Sequence, residues 1–190
     1  MDKNRYSEWI DASLSFISLE MFLYYRVQGL GIIDVELVEE FPNLQLKSQL
    51  EQDKLKKLRH IIISELWILG AYELIRFIDE KCKRRNKNGN YTVEIKEDTK
   101  TKLKNVFGLF NQLRTPLAKL ERPSSSEHIL YSQIADSFWN ENKGVGWKIY
   151  STNPKDRLEM GTFYRKDLAD SLLELLKQLK EDILLINKKD

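Results

Sequence analysis

A continuous helical pattern from Lys47 to Arg85 limits what this chain can become. Its first half, KSQLEQDKLKKLRH, is polar and amphipathic, while its second half, HIIISELWILGAYELIRFIDE, is apolar almost all round. A helix that is apolar on every side must be surrounded by other elements or by lipid. Lipid is a poor fit, because Ser64, Glu65, Tyr72, Glu73 and Arg76 interrupt the run. No stretch approaches the ~20 apolar residues of a membrane span. The segment reads as a core helix, and the rest of the chain must cover it.

The covering elements are visible in the periodicity. Trp9, Phe16, Leu19, Leu23 and Val27 recur at helical spacing between Tyr6 and Gln28, with Ser7 placed to start the helix. Gly29 and Gly31 read as its C-terminal cap. The GxG of GLGIID lacks the third glycine and the preceding strand of a dinucleotide loop. Residues 32–46 are mixed, with Pro42 as a breaker. YTVEIKE, at 91–97, is a short strand or an extended link. Asp98 or Thr99 then caps a helix carrying Leu103, Val106, Phe107, Phe110 and Leu113. ERPSSSE is a loop by composition. Aromatic and β-branched residues on either side of NENKGVG predict a β-hairpin turning near Asn142 to Gly146. RLEMGTFYRKD supplies a third strand. Asp167 starts a last helix whose stripe is Leu168, Leu172, Leu175, Leu176, Leu179, Ile183 and Ile186.

The pattern therefore predicts a mainly α protein, a four- or five-helix bundle. A small antiparallel β-hairpin or three-strand insertion, at about 130–165, precedes a C-terminal helix at about 167–187. The 190 residues fit a single domain, and their 42% hydrophobic content suffices for a core. Lys and Arg number 31 against 29 Asp and Glu, so the charge of +2 gives little support to a dedicated nucleic-acid surface. Cys82 is the single cysteine, which rules out an intramolecular disulfide. With no secretory h-region in MDKNRYSEW, it points to a cytoplasmic protein with no membrane anchor. Its setting, KCKRRNK, would favour the thiolate, or leave an incidental exposed thiol. The same cations suit a helix C-terminus, with a phosphate-binding patch as the alternative.

NQLRTPLAKLE, at 111–121, places a proline inside an apparent helix. Threonine is a good N-cap and proline favours the first helical position. Thr115 and Pro116 thus read as the start of a new turn, with Arg114 at a helix break. An arginine beside free backbone donors is an anion or RNA-phosphate site, which Lys119 could join. The structural alternative starts from Glu65 and Glu73, which interrupt the core helix on related faces. Buried carboxylates need cations, and Arg114 and Lys119 would supply structural ion pairs. Glu73 could also pair with Arg76 on its own surface.

An arginine at a helix kink in a small helical protein resembles the HEPN families. These are prokaryotic helical-bundle domains, many of them RNases or toxins of defence and toxin–antitoxin systems. Their motif is an Arg followed after four to six residues by a His, and dimerisation brings two motifs into one cleft. The resemblance spans about residues 6–121. Arg114 matches the family arginine and Thr115 the polar residue that follows it. The allowed histidine places hold Lys119, Leu120 and Glu121, which implies a non-catalytic member.

Other chemistry is sparse. His60 and His128 with Cys82 lack zinc-ligand spacing, so no metal is expected, and no cofactor. His60 reads as a boundary residue. Ser124 to Ser126 with His128 lack a nucleophile elbow. His128 could approach Arg114 as an acid/base pair, leaving these two as the weak catalytic candidates of a ribonuclease. Phe138, Trp139, Trp147 and Tyr150, interleaved with Lys143 and Lys148, could stack single-stranded nucleic acid, dock a protein, or pack on the bundle. The last helix suits core packing or homodimerisation. The expected function is a non-enzymatic interaction or accessory subunit of a bacterial or phage complex with a protein partner, defence-related if the resemblance holds. The alternative is a HEPN-like RNA-binding protein or RNase using Arg114.

Overall fold

The computed structural model describes residues 3–44, 51–85, 93–118, 133–151 and 159–186. The protein is mainly helical, with a three-stranded antiparallel sheet before its last helix. Helix α1 (Lys3–Ser13) leads through a 3-10 turn (Leu14–Ile17) into α2 (Met21–Leu44). Helices α3 (Glu51–Lys83) and α4 (Glu97–Ala118) follow. Strands β1 (Gln133–Asn140), β2 (Gly144–Ser151) and β3 (Glu159–Tyr164) then run directly into α5 (Arg165–Ile186). One buried cluster takes side chains from all five helices and β2. The inner face of α3, with Trp67, Ile68, Ala71 and Ile75, lies in it.

Three boundaries differ from the sequence expectation. Gly29 and Gly31 do not cap a helix, and Pro42 does not break one: all three lie within α2. Gly31 is needed for packing, because a Cβ there would stand 2.5 Å from Cβ of Trp9. The helix expected from Tyr6 to Gln28 is instead divided between α1 and α2 by the 3-10 turn. Helix α4 continues through Pro116, so Thr115 is no N-cap. Its hydroxyl donates to the carbonyl of Asn111 at 3.3 Å, an ordinary mid-helix arrangement.

The sheet has the order β1-β2-β3. Its turn lies one or two residues earlier than expected. Asn140 pairs with Gly144, and Asn140 Oδ1 accepts from the backbone N–H groups of Asn142 and Lys143, each at 2.9 Å. Gly144 closes the three-residue loop at φ 78°, a conformation that favours glycine. Val145, Trp147 and Ile149 alternate onto the inner face and are buried. Trp139 joins them and sits between Phe41, at 5.5 Å, and His60, at 5.4 Å between ring centroids. The sheet is thereby pinned to α2 and α3.

Candidate interaction surface

Helices α2 and α3 lie antiparallel. Trp67 Nε1 donates to the Leu30 carbonyl at 2.9 Å, and Arg59 Nη1 reaches Glu40 Oε1 at 3.2 Å. Their inward sides enter the core, but their outward sides are also apolar. On α3, Leu55, Leu58, Ile62 and Leu66 recur at three- and four-residue intervals and are 64%, 52%, 47% and 62% exposed. On α2, Met21, Phe22, Tyr25 and Ile32 are exposed as well. A surface helix ordinarily presents polar residues on that side. Large apolar patches on soluble proteins mark binding surfaces.

Two glycines shape this face. Phe22, Tyr25, Arg26, Gly29, Leu30, Ile33 and Gly70 line a trough of about 320 Å³. Nothing lies within 4 Å of a Cβ built at Gly29. The missing side chain therefore leaves open space that an apolar group of a partner could enter. A second cleft, of about 480 Å³, is polar and is lined by Glu36, Glu39, Glu40, Asn43 and Arg59 with Leu37 and Ile63.

Arg114 lies on α4 and packs on α3. Its guanidinium is 5.3 Å from the Tyr72 ring centroid, and Tyr72 stacks on Phe107 at 5.5 Å. Because α4 is unbroken here, the free backbone donors expected beside Arg114 are absent. The expected pairs of Arg114 with Glu65 and Glu73 do not form either. Glu73 pairs with Arg76 of its own helix at 2.8 Å and is 44% exposed. Glu65 is half-buried, and neither it nor Arg114 has an ion pair among the described residues. Lys119 and His128 lie outside the described residues.

The buried charges are elsewhere, at positions the sequence pattern did not single out. Asp34 of α2 is fully buried. Its Oδ2 accepts from Arg5 Nε at 2.6 Å and from Trp9 Nε1 at 3.0 Å, while Oδ1 accepts from Arg165 Nη1. Arg5 also reaches Asp170 Oδ1 at 2.8 Å. Burial opposes the charge on Asp34, yet the two guanidinium groups prevail and hold its carboxyl below the usual carboxylate range. This network ties α1, α2 and the start of α5 together.

His60 is no boundary residue. It is 2% exposed, its Nε2 meets the Leu37 carbonyl at 3.0 Å, and Nδ1 has no hydrogen-bond partner among the described residues. Burial pushes its pKa down against the pull of that carbonyl, and the nearby positive charge of Arg165 adds to the effect. Cys82 also departs from expectation. Burial, with Asp79 nearby, pushes its thiol up to about 11 despite Lys100 and Lys83. It is an inert thiol rather than an activated one.

Of the uses the sequence left open for the hairpin and the last helix, packing on the bundle accounts for Trp139, Trp147 and the α5 stripe. Trp147 is fully buried, and Trp139 is held at 5.2 Å from Lys57 Nζ as well as by Phe41 and His60. Phe138 and Tyr150 are half-buried on the outer face, where Phe138 meets Tyr164 edge-on at 5.8 Å. Lys143 and Lys148 are engaged by Asp167 and Glu159, at 3.2 and 3.1 Å. On α5, Leu168, Leu172, Leu175, Leu176, Leu179 and Ile183 are all buried. That stripe is core, so it offers no dimer contact.

Among the described residues, no group of three His, Cys, Asp or Glu side chains is placed to hold a metal ion. No helix among them is long and apolar enough to cross a membrane.

Comparison with known proteins gives one partial similarity. The chain is 26% identical over 165 residues to a protein translocase subunit SecA from Aliarcobacter butzleri. The match covers 76% of this chain but 18% of that protein, so the chain spans about a fifth of its length. No family description matches the chain, and no solved structure matches it.

Proposed function

We propose that this protein is a non-enzymatic interaction subunit that docks onto a protein partner through the outward face of α2 and α3. The observation that carries this reading is that both helices expose large apolar side chains, Leu55, Leu58, Ile62 and Leu66 on α3 and Met21, Phe22, Tyr25 and Ile32 on α2. Side chains of this size gain roughly 1.5–3 kcal/mol each when fully removed from water. The partial similarity to a translocase subunit is in keeping with membership of an assembly. A bacterial or phage setting, with a role in defence, belongs to the same proposal. The test is a pull-down from the native host with tagged wild-type protein and Phe22→Asp/Tyr25→Asp. A stoichiometric protein bound by the wild type and lost from the variant is expected. Equal capture by both would remove this face from the function.

Arg114 favours a second reading, RNA binding by a HEPN-like protein. A guanidinium held on an aromatic ring, with no carboxylate partner among the described residues, keeps its charge for an anion such as phosphate. RNA co-purifying with the wild type and lost on Arg114→Ala, with unchanged melting temperature, would support it. Absence of RNA from both would eliminate it.

A further inference from the structure

We infer that the α3 row of this face is occupied by α3 of a second copy of the chain, running antiparallel about a two-fold axis between Leu58 and Ile62. This rests on the proposal that the face binds protein, and it names the partner. The spacing of the four exposed side chains reads nearly the same in both directions. An antiparallel copy therefore sets Leu55 against Leu66 of its partner and Leu58 against Ile62. Isologous contacts of this kind need a surface that complements itself.

Charge supports the same arrangement. Lys54 and Glu65 flank the row on one side of α3, eleven residues and thus about three helical turns apart. Neither has an ion pair among the described residues. The antiparallel copy brings each Lys54 level with the other chain's Glu65, on the same side of the seam, twice per dimer. A parallel copy would place the two Lys54 side chains on opposite sides of the seam and bring neither to a Glu65. On the opposite flank, Arg59 is already engaged by Glu40 within the chain.

The test is light scattering on the full chain from about 1 to 200 μM. A dimer is expected for the wild type and a folded monomer for Ile62→Asp. Ile62 is exposed in the single chain, so circular dichroism and melting temperature should be retained. Lys54→Glu should weaken the dimer about tenfold, and Lys54→Glu/Glu65→Lys should restore it. A dimer that survives Ile62→Asp, or charge variants without effect, would overturn the antiparallel α3 contact. A monomeric wild type that still captures another protein through Phe22 and Tyr25 would overturn this inference and leave the proposed function standing. A monomer whose capture is indifferent to both sets of variants would remove both.

Discussion

Asp34 and Arg165 are 131 positions apart in the chain and form a buried ion pair, with the carboxylate side chain 0% and the guanidinium side chain 5% exposed. Arg5 and Trp9 complete the donors around the carboxylate. A buried charge left without its partner is costly, whereas an apolar replacement of the whole pair is often tolerated. Arg165→Met is therefore expected to destabilise the protein by about 3–5 kcal/mol in urea unfolding. Adding Asp34→Asn should recover part of that loss. Equal stability for Arg165→Met and wild type would show that Arg5 and Trp9 alone satisfy Asp34.

Two glycines two residues apart, and so on nearly opposite sides of α2, should respond in opposite directions. Gly31→Ala would place a methyl group 2.5 Å from Trp9 Cβ, and the ring has the core behind it. The gain in helix propensity, about 1 kcal/mol, is outweighed by overpacking, for a net loss of roughly 1–2 kcal/mol. Gly29→Ala meets nothing within 4 Å and should stabilise by about 0.5–1 kcal/mol. Thermal melts of the two variants decide the point. A stabilised Gly31→Ala would mean that α1 can move away from α2.

The pH dependence has two separate sources. The pKa of His60 is held below its ordinary 6.5, so between that value and the folded one the unfolded chain binds the extra proton. Its contribution is present in full above pH 6.5 and is lost as the pH falls below it, with a slope of at most about 1.4 kcal/mol per pH unit. The carboxyl of Asp34 is likewise held below its ordinary 3.8, so its contribution is present above that value and disappears as the pH falls further. His60→Gln should flatten the stability profile just below pH 6.5 and leave the loss below pH 3.8 in place. An unchanged profile in the variant would place the titration elsewhere.

Cys82 should be unreactive while the protein is folded. With its thiol at about 11, only about one molecule in a thousand carries the thiolate at pH 8. Ellman's reagent should therefore react at least 100-fold more slowly with native protein than with protein in denaturant. Comparable rates would mean that the end of α3 opens readily.

The legible parts of the sequence were those with local causes. The apolar half of α3, the amphipathic run of α4 and the stripe of α5 each announced a helix, because a buried face leaves a period of 3.6 residues in the residue order. The alternation around NENKGVG announced the hairpin in the same way. Gly29 and Gly31 misled, since a glycine that ends a helix and one that admits a tryptophan from another helix look alike in a linear chain. Thr115 and Pro116 misled for a similar reason, because their preference for a helix start is weak beside the packing of Leu113 and Phe110 in the core.

Sequence by itself determined the class of fold, the helices α3, α4 and α5 and the place of the sheet, all consequences of near-neighbour periodicity. Tertiary structure decided which apolar faces were left over. The rows on α3 and α5 are both amphipathic, yet the stripe of α5 is enclosed by the other elements while Leu55, Leu58, Ile62 and Leu66 face outward. It also decided that Asp34 would meet Arg5 and Arg165, and that Arg114 would rest on Tyr72 rather than on a carboxylate. Such pairings depend on distances between segments far apart in the chain, and periodicity carries no record of them.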